Sequence, residues 1–130
     1  MTPSLAGVLE TVVYCTTENE DATRRFYGEV LGLRPVREGS AAHRIGPGVF
    51  LLFNADESSV QDSPPAHGAP GRVHTCFLAA PGDYEEWNRR LASAGVEITE
   101  EIEWPSGPRS FYFRGSGGKR ARDRRGRHLA

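Results

Sequence analysis

Cysteine is nearly absent. Cys15 and Cys76 are the only two in 130 residues, which leaves no disulfide framework to hold a small domain together. Both fall inside apolar runs, so the expectation is two buried free thiols in a reducing compartment. No apolar run reaches the roughly eighteen residues of a membrane span. A charged-then-apolar leader and a lipidation motif are also missing, and a soluble, cytoplasmic protein is expected. Lysine is scarce as well: fifteen of the sixteen basic residues are arginine, a bias that points to GC-rich coding and carries no functional meaning. A chain of this length makes one domain that can bury a core without a staple.

Net charge is also small, −1 over the chain, but it is unevenly spread. Residues 1–114 carry ten arginines against sixteen acidic residues, a net of −6. Residues 115–130 carry six basic residues against Asp123 alone, a net of +5. The body has the composition of an acidic globular domain, and the tail does not share it. Clustered arginines can neutralise phosphates, but this tail has no interleaved aromatics and follows an acidic body. A nucleic-acid partner is therefore not expected, and disorder is the simpler reading of residues 115–130.

The clearest positive pattern spans residues 73–96. Val73-His74-Thr75-Cys76-Phe77-Leu78 reads as a strand with one histidine in an otherwise apolar run. A helix over 83–94 follows. Asp83 and Glu86 have capping-box spacing, Tyr84, Trp87, Leu91 and Ala94 share a face, and Gly95 supplies the stop. The same order occurs earlier: a strand Leu9-Glu10-Thr11-Val12-Val13-Tyr14, a capping-box pair Thr17 and Glu20, a face of Ala22, Phe26 and Val30, and a stop at Gly32. Glu10 and His74 are 64 positions apart, and Gly32 and Gly95 are 63 apart. The chain is therefore a tandem repeat at half its own length.

Further strands are expected at 33–38, 41–45 and 49–54 in the first half, and at 96–103 and 109–114 in the second, separated by Gly- and Pro-rich turns. Residues 55–71 are rich in Pro, Gly, Ser and Ala and read as a linker or a loop over one half. The predicted fold is α+β: two βαβββ modules, 8–54 and 72–114, forming a cup-shaped, mostly antiparallel sheet, with the last strand altered or missing. Such a cup leaves a concave face for a small-molecule ligand.

At this point the sequence resembles the glyoxalase/bleomycin resistance protein/extradiol dioxygenase (vicinal oxygen chelate) superfamily. The resemblance is carried by Leu9–Tyr14, by Ala22…Phe26-Tyr27…Leu31-Gly32-Leu33, by the run from Gly46 to Phe53, by His67…His74-Thr75-Cys76-Phe77, by Ala94-Gly95-Val96 and by the stretch from Pro108 to Arg114. It implies paired βαβββ modules, often a homodimer, and a divalent metal (Zn, Ni, Mn or Fe) held by side chains on the first and last strands of each module. Implied activities are those of a lyase, isomerase or dioxygenase, although other members bind drugs without metal. On the matching positions Glu10 stands at the first-strand ligand site, where His is more usual, and His74 at the second. Glu10 would also serve as the proton-transferring base. Residues 51–53 offer no ligand, and the glutamate expected on the last strand is missing.

Each residue also has a plainer reading. Glu10 is equally a solvent-facing strand end, and His74 a hydrogen-bonded strand histidine. Phe53, Phe77, Trp104 and Phe111 line either the cup or the core, depending on register. Arg109 reads as a solvated arginine or a contact for an anionic substrate group. His43 and His67 read as surface residues. The tail has a reading at the nucleotide level. Synonymous codons for residues 115–123 can be chosen so that a one-base shift yields Asp-Pro-Ala-Gly-Asn-Ala-Leu-Glu-Ile. That would restore both a turn and a glutamate of the family pattern, so a frame displaced near Arg114 is an explicit hypothesis.

Overall fold

The computed structural model describes residues 2–69, 73–114 and the backbone of 128–129. The order of elements is β1 (Glu10–Cys15), α1 (Glu20–Arg25) continuing into a π-helical turn (Phe26–Val30), β2 (Ala42–Ile45), β3 (Gly48–Asn54), α2 (Ala55–Ser58), α3 (Tyr84–Ser93), β4 (Ile98–Glu103), β5 (Arg109–Arg114) and β6 (His128–Leu129). The architecture is α+β, with one mixed and one antiparallel sheet and no closed barrel.

In the first sheet, ordered β1-β3-β2, the first and last strands of the module run parallel, from Glu10↔Val49 to Cys15↔Asn54. Side chains alternate across a strand, so this register sorts them cleanly. Val13, Cys15, Phe50, Leu52 and Asn54 are buried, while Val12, Tyr14, Val49, Leu51 and Phe53 are half-buried on the other face. Tyr27 closes the buried face with its ring 5.1 Å from Phe50. Phe26, the next residue, reaches the second sheet at Phe113, 6.1 Å away. The helical turn that carries these two rings thus joins both halves into one core, which also holds Leu91 and Phe111. Arg90 of α3 reinforces the junction by donating to the Val30 and Glu29 carbonyls at 2.8 and 3.1 Å.

Several expectations need correction. The strand at 33–38 reduces to a single bridge, Pro35↔His43, because proline has no N–H to donate to a ladder. Neither capping box closes. The N-caps are Asn19 and Asp83, and neither side chain bonds its helix. Glu20 instead accepts from Arg24 at 2.9 Å and from Asn54 at 3.0 Å. Cys15 is buried as expected, but Cys76 is exposed.

Over the described residues 73–79 the expected strand is not continuous, and Thr75 makes an isolated bridge. In the first module the matching strand, β1, is held by the seven-residue β3. In the second sheet the described part of β6 pairs with Phe113 and Arg114. Phe77 still packs, 5.5 Å from Phe50, but Leu78 is 97% exposed. The expected disorder of the tail concerns residues 115–127 and 130, which lie outside the described residues.

The stretch read as a linker is folded over its described length. Asn54 caps α2 by accepting from the Asp56 N–H at 2.8 Å. Ser58, itself buried, then holds the returning chain at two points: its carbonyl accepts from the His67 N–H at 3.0 Å, and its hydroxyl donates to the His67 carbonyl at 2.7 Å. Residues 58–67 form a strap pinned at both ends. Among the described residues, no helix is long and apolar enough to cross a membrane.

Candidate functional site

Helices cover one face of each sheet, so the other face is where a ligand can lie. On the first sheet this open face carries Glu10, Val12 and Tyr14 from β1, Val49, Leu51 and Phe53 from β3, and Ala42 and Arg44 from β2, as the register dictates. Val12 and Leu51, directly paired, form an apolar floor. Glu10 stands exposed at one end of it. At the other end, four residues and about 13 Å further along β1, Tyr14 meets His67. The strap places that imidazole so that its Nδ1 lies 2.8 Å from the Tyr14 hydroxyl. The Phe53 ring meets it edge to face at 4.8 Å.

Sequence reasoning expects His67 at the surface, and the structure places it half-buried on the open face. The signal that could have found it is the Asn54 cap of a short helix ahead of the Pro-rich run, ending in the serine that holds the returning chain. His43 was also expected at the surface and is instead buried at 5% exposure, its Nδ1 3.3 Å from the Phe50 carbonyl. It pairs with Phe50 across β2 and β3, and so shares the core face.

In the second module the open face of β5 holds Ser110, Tyr112 and Arg114, since Phe111 and Phe113 are buried on the other side. His74 is exposed, its ring 6.3 Å from Tyr112. Four expected ligand contacts fall elsewhere. Phe111 packs under α3 against Tyr84, with ring centres 5.3 Å apart. Phe77 lies against the core residue Phe50. Arg109 has the same parity as Phe111, and its guanidinium is occupied by Glu85 at 2.9 Å and by the face of Tyr84 at 4.3 Å. Trp104 sits in the β4–β5 turn, donating to the Ser110 hydroxyl at 3.0 Å. For Phe111 and Arg109 the reason is parity: alternation along a strand fixes which residues share a face, but not which face is covered.

Charge and burial shape the remainder. Burial, with Glu20 nearby, pushes the Cys15 thiol up to about 11, so it is protonated and inert. The bonds from Arg24 and then Asn54 hold the Glu20 carboxyl below the ordinary carboxylate value. A separate groove of about 520 Å³ runs along residues 32–36 to Arg44, at the β2 edge.

The ligand set for a metal was tested on these placements. Glu10 and His74 are both exposed and on open faces, but the described residues contain no group of three or more His, Cys, Asp or Glu able to hold a metal ion. The glutamate implied for the last strand has no counterpart in the sequence: residues 115–130 contain none, and Asp123 is their one acidic residue. Among the described residues, the donors present do not make up the implied centre.

A first module with parallel first and last strands, a second antiparallel sheet backed by its own helix and an open face on each sheet are the features of a glyoxalase-type fold. The model of the Glyoxalase/Bleomycin resistance protein/Dioxygenase superfamily matches residues 12–126, and the chain belongs to that superfamily. Among solved structures, it is similar to a lactoylglutathione lyase from Agrobacterium tumefaciens, at 30% identity and a TM-score of 0.75 over 88% of this chain and 90% of that one. It shares the fold of a glyoxalase/bleomycin resistance protein/dioxygenase from Nocardioides (22% identity, TM-score 0.64, 90% and 81% covered). The same holds for an integron cassette protein from the mobile metagenome of V. cholerae (18% identity, TM-score 0.62, 91% and 93% covered). No curated protein matches the sequence.

Proposed function

We propose that this chain, with the sequence it has here, binds a small molecule on the open face of its first module and holds no metal tightly. The observation that carries this reading is the pairing of an apolar floor, Val12 and Leu51, with polar groups at both ends, while the metal donors stop at Glu10 and His74. Two ligands seldom retain a divalent ion against water. Elemental analysis of the purified protein, after incubation with Zn, Ni, Mn or Fe, should find far less than one ion per chain. Near-stoichiometric metal that disappears in His74→Ala would overturn it.

A second reading is a metal-dependent lyase, isomerase or dioxygenase. It is favoured by Glu10 and His74 standing at matched positions of the repeat, and by the similarity to a lactoylglutathione lyase. On this reading Glu10, His74 and a glutamate restored by a one-base shift after Arg114 would hold the ion, with Glu10 also placed to move a proton. The gene sequence decides whether such a shift is possible. A homodimer in the cytoplasm fits either reading, with the partner covering the incomplete edge of the second sheet.

A further inference from the structure

The Tyr14–His67 pair is not part of the expected metal centre. The strap is pinned at Ser58, and an imidazole lands on the open face. The ring is oriented by two contacts, the Tyr14 hydroxyl at 2.8 Å and the edge-to-face Phe53 ring at 4.8 Å. Its Nε2 has no hydrogen-bond partner among the described residues.

Counting protons shows what the pair offers. A neutral histidine and a tyrosine have one N–H and one O–H between them, and their mutual bond uses one. If the Tyr14 hydroxyl donates to Nδ1, Nε2–H is left over. If Nδ1–H donates to the phenol oxygen, the Tyr14 O–H is left over. In either tautomer the pair retains one donor that their mutual bond does not use.

We infer that Tyr14 and His67 form a hydrogen-bonding station for an acceptor oxygen, carbonyl or carboxylate, on a small molecule whose apolar body lies along Val12, Leu51 and Phe53. This rests on the reading that the first module's open face is the binding face. The distance of about 13 Å from Tyr14 to Glu10 along β1 suits an elongated molecule with a polar group at the station and its far end toward Glu10.

The test uses 2-naphthoate and 2-acetylnaphthalene, which put a carboxylate and a neutral carbonyl on one apolar body. Binding is followed by the NMR shifts of the Val12 and Leu51 methyls and of the His67 imidazole. Both groups of signals should move together in the wild type. His67→Ala should weaken binding about three- to tenfold, the range of one neutral hydrogen bond. His67→Gln, which keeps a donor, should recover part of the loss, and Tyr14→Phe should add little on top of His67→Ala because the two act as one unit. If only 2-naphthoate is affected, the station takes a carboxylate; if both are, it takes either oxygen. Movement of the methyls with unchanged affinity in His67→Ala would overturn the station and leave the binding face standing. No movement of any signal at millimolar probe would overturn both.

Discussion

Cys15 and Cys76 show how little a residue's type says before its partners are known. Both are unpaired cysteines in apolar runs, yet Cys15 is 3% exposed and Cys76 is open to solvent. β1 has a ladder partner in β3 and buries its alternate residues, whereas Cys76 lies in a segment where, among the described residues, Thr75 makes an isolated bridge. Thiol-specific labelling at pH 8 should therefore modify Cys76 quickly and leave Cys15 untouched until the protein unfolds. The same burial has a consequence for stability. The folded thiol titrates near 11, above the ordinary 9.0, so the native state holds this proton more tightly than the unfolded chain does. The contribution is complete below about pH 9 and is lost as pH rises toward 11, by up to about 3 kcal/mol. Urea unfolding between pH 8 and 11 should show this decline, and Cys15→Ala should reduce it, most clearly below pH 10, above which the buried Tyr27 hydroxyl, also raised by burial, adds a decline of its own.

Elements were legible in proportion to how local their causes are. The helix over 83–94 was fixed by its own apolar face and its glycine stop, and the structure places it at Tyr84–Ser93. The strands β3, β4 and β5 likewise follow from alternation and turns. Two misses were settled by distant partners: the pairing that 73–79 would need, and the strap that brings His67 to Tyr14 across 53 positions. The strand at 33–38 failed for a local reason, the proline within it. Of the candidate site, Glu10, Phe53 and His74 fall on open faces, while Phe77, Arg109 and Phe111 follow the covered ones. The strap itself can be probed without any ligand. Ser58→Ala removes a buried hydroxyl that donates to the His67 carbonyl and should cost about 1 kcal/mol. Limited proteolysis read by mass spectrometry should find cuts between residues 59 and 66 sooner in the variant, with the rest of the fragment pattern unchanged.

At the scale of the molecule, the two halves share a plan. The first sheet sets β1 on the seven-residue β3, and in the second the described part of β6 lies on β5. If the sequence after Arg114 is replaced by Asp-Pro-Ala-Gly-Asn-Ala-Leu-Glu-Ile, the reading that a one-base shift permits, a full strand should form beside β5. Amides of residues 73–79 should then exchange with solvent more slowly than in the present chain; equal exchange in both would mean that this replacement does not order the segment. The parallel pairing of β1 with β3 also sets an order of events for a chain made from its N-terminus. β1 waits only until Asn54 has been synthesised, and the first sheet can then close with more than half the chain still unmade. By the symmetry of the plan, the opening segment of the second half has its partner beyond Arg114, so Leu78 and its neighbours are made well before it. If the frame is displaced after Arg114, the change would reach back some forty residues, to a stretch the ribosome had already made.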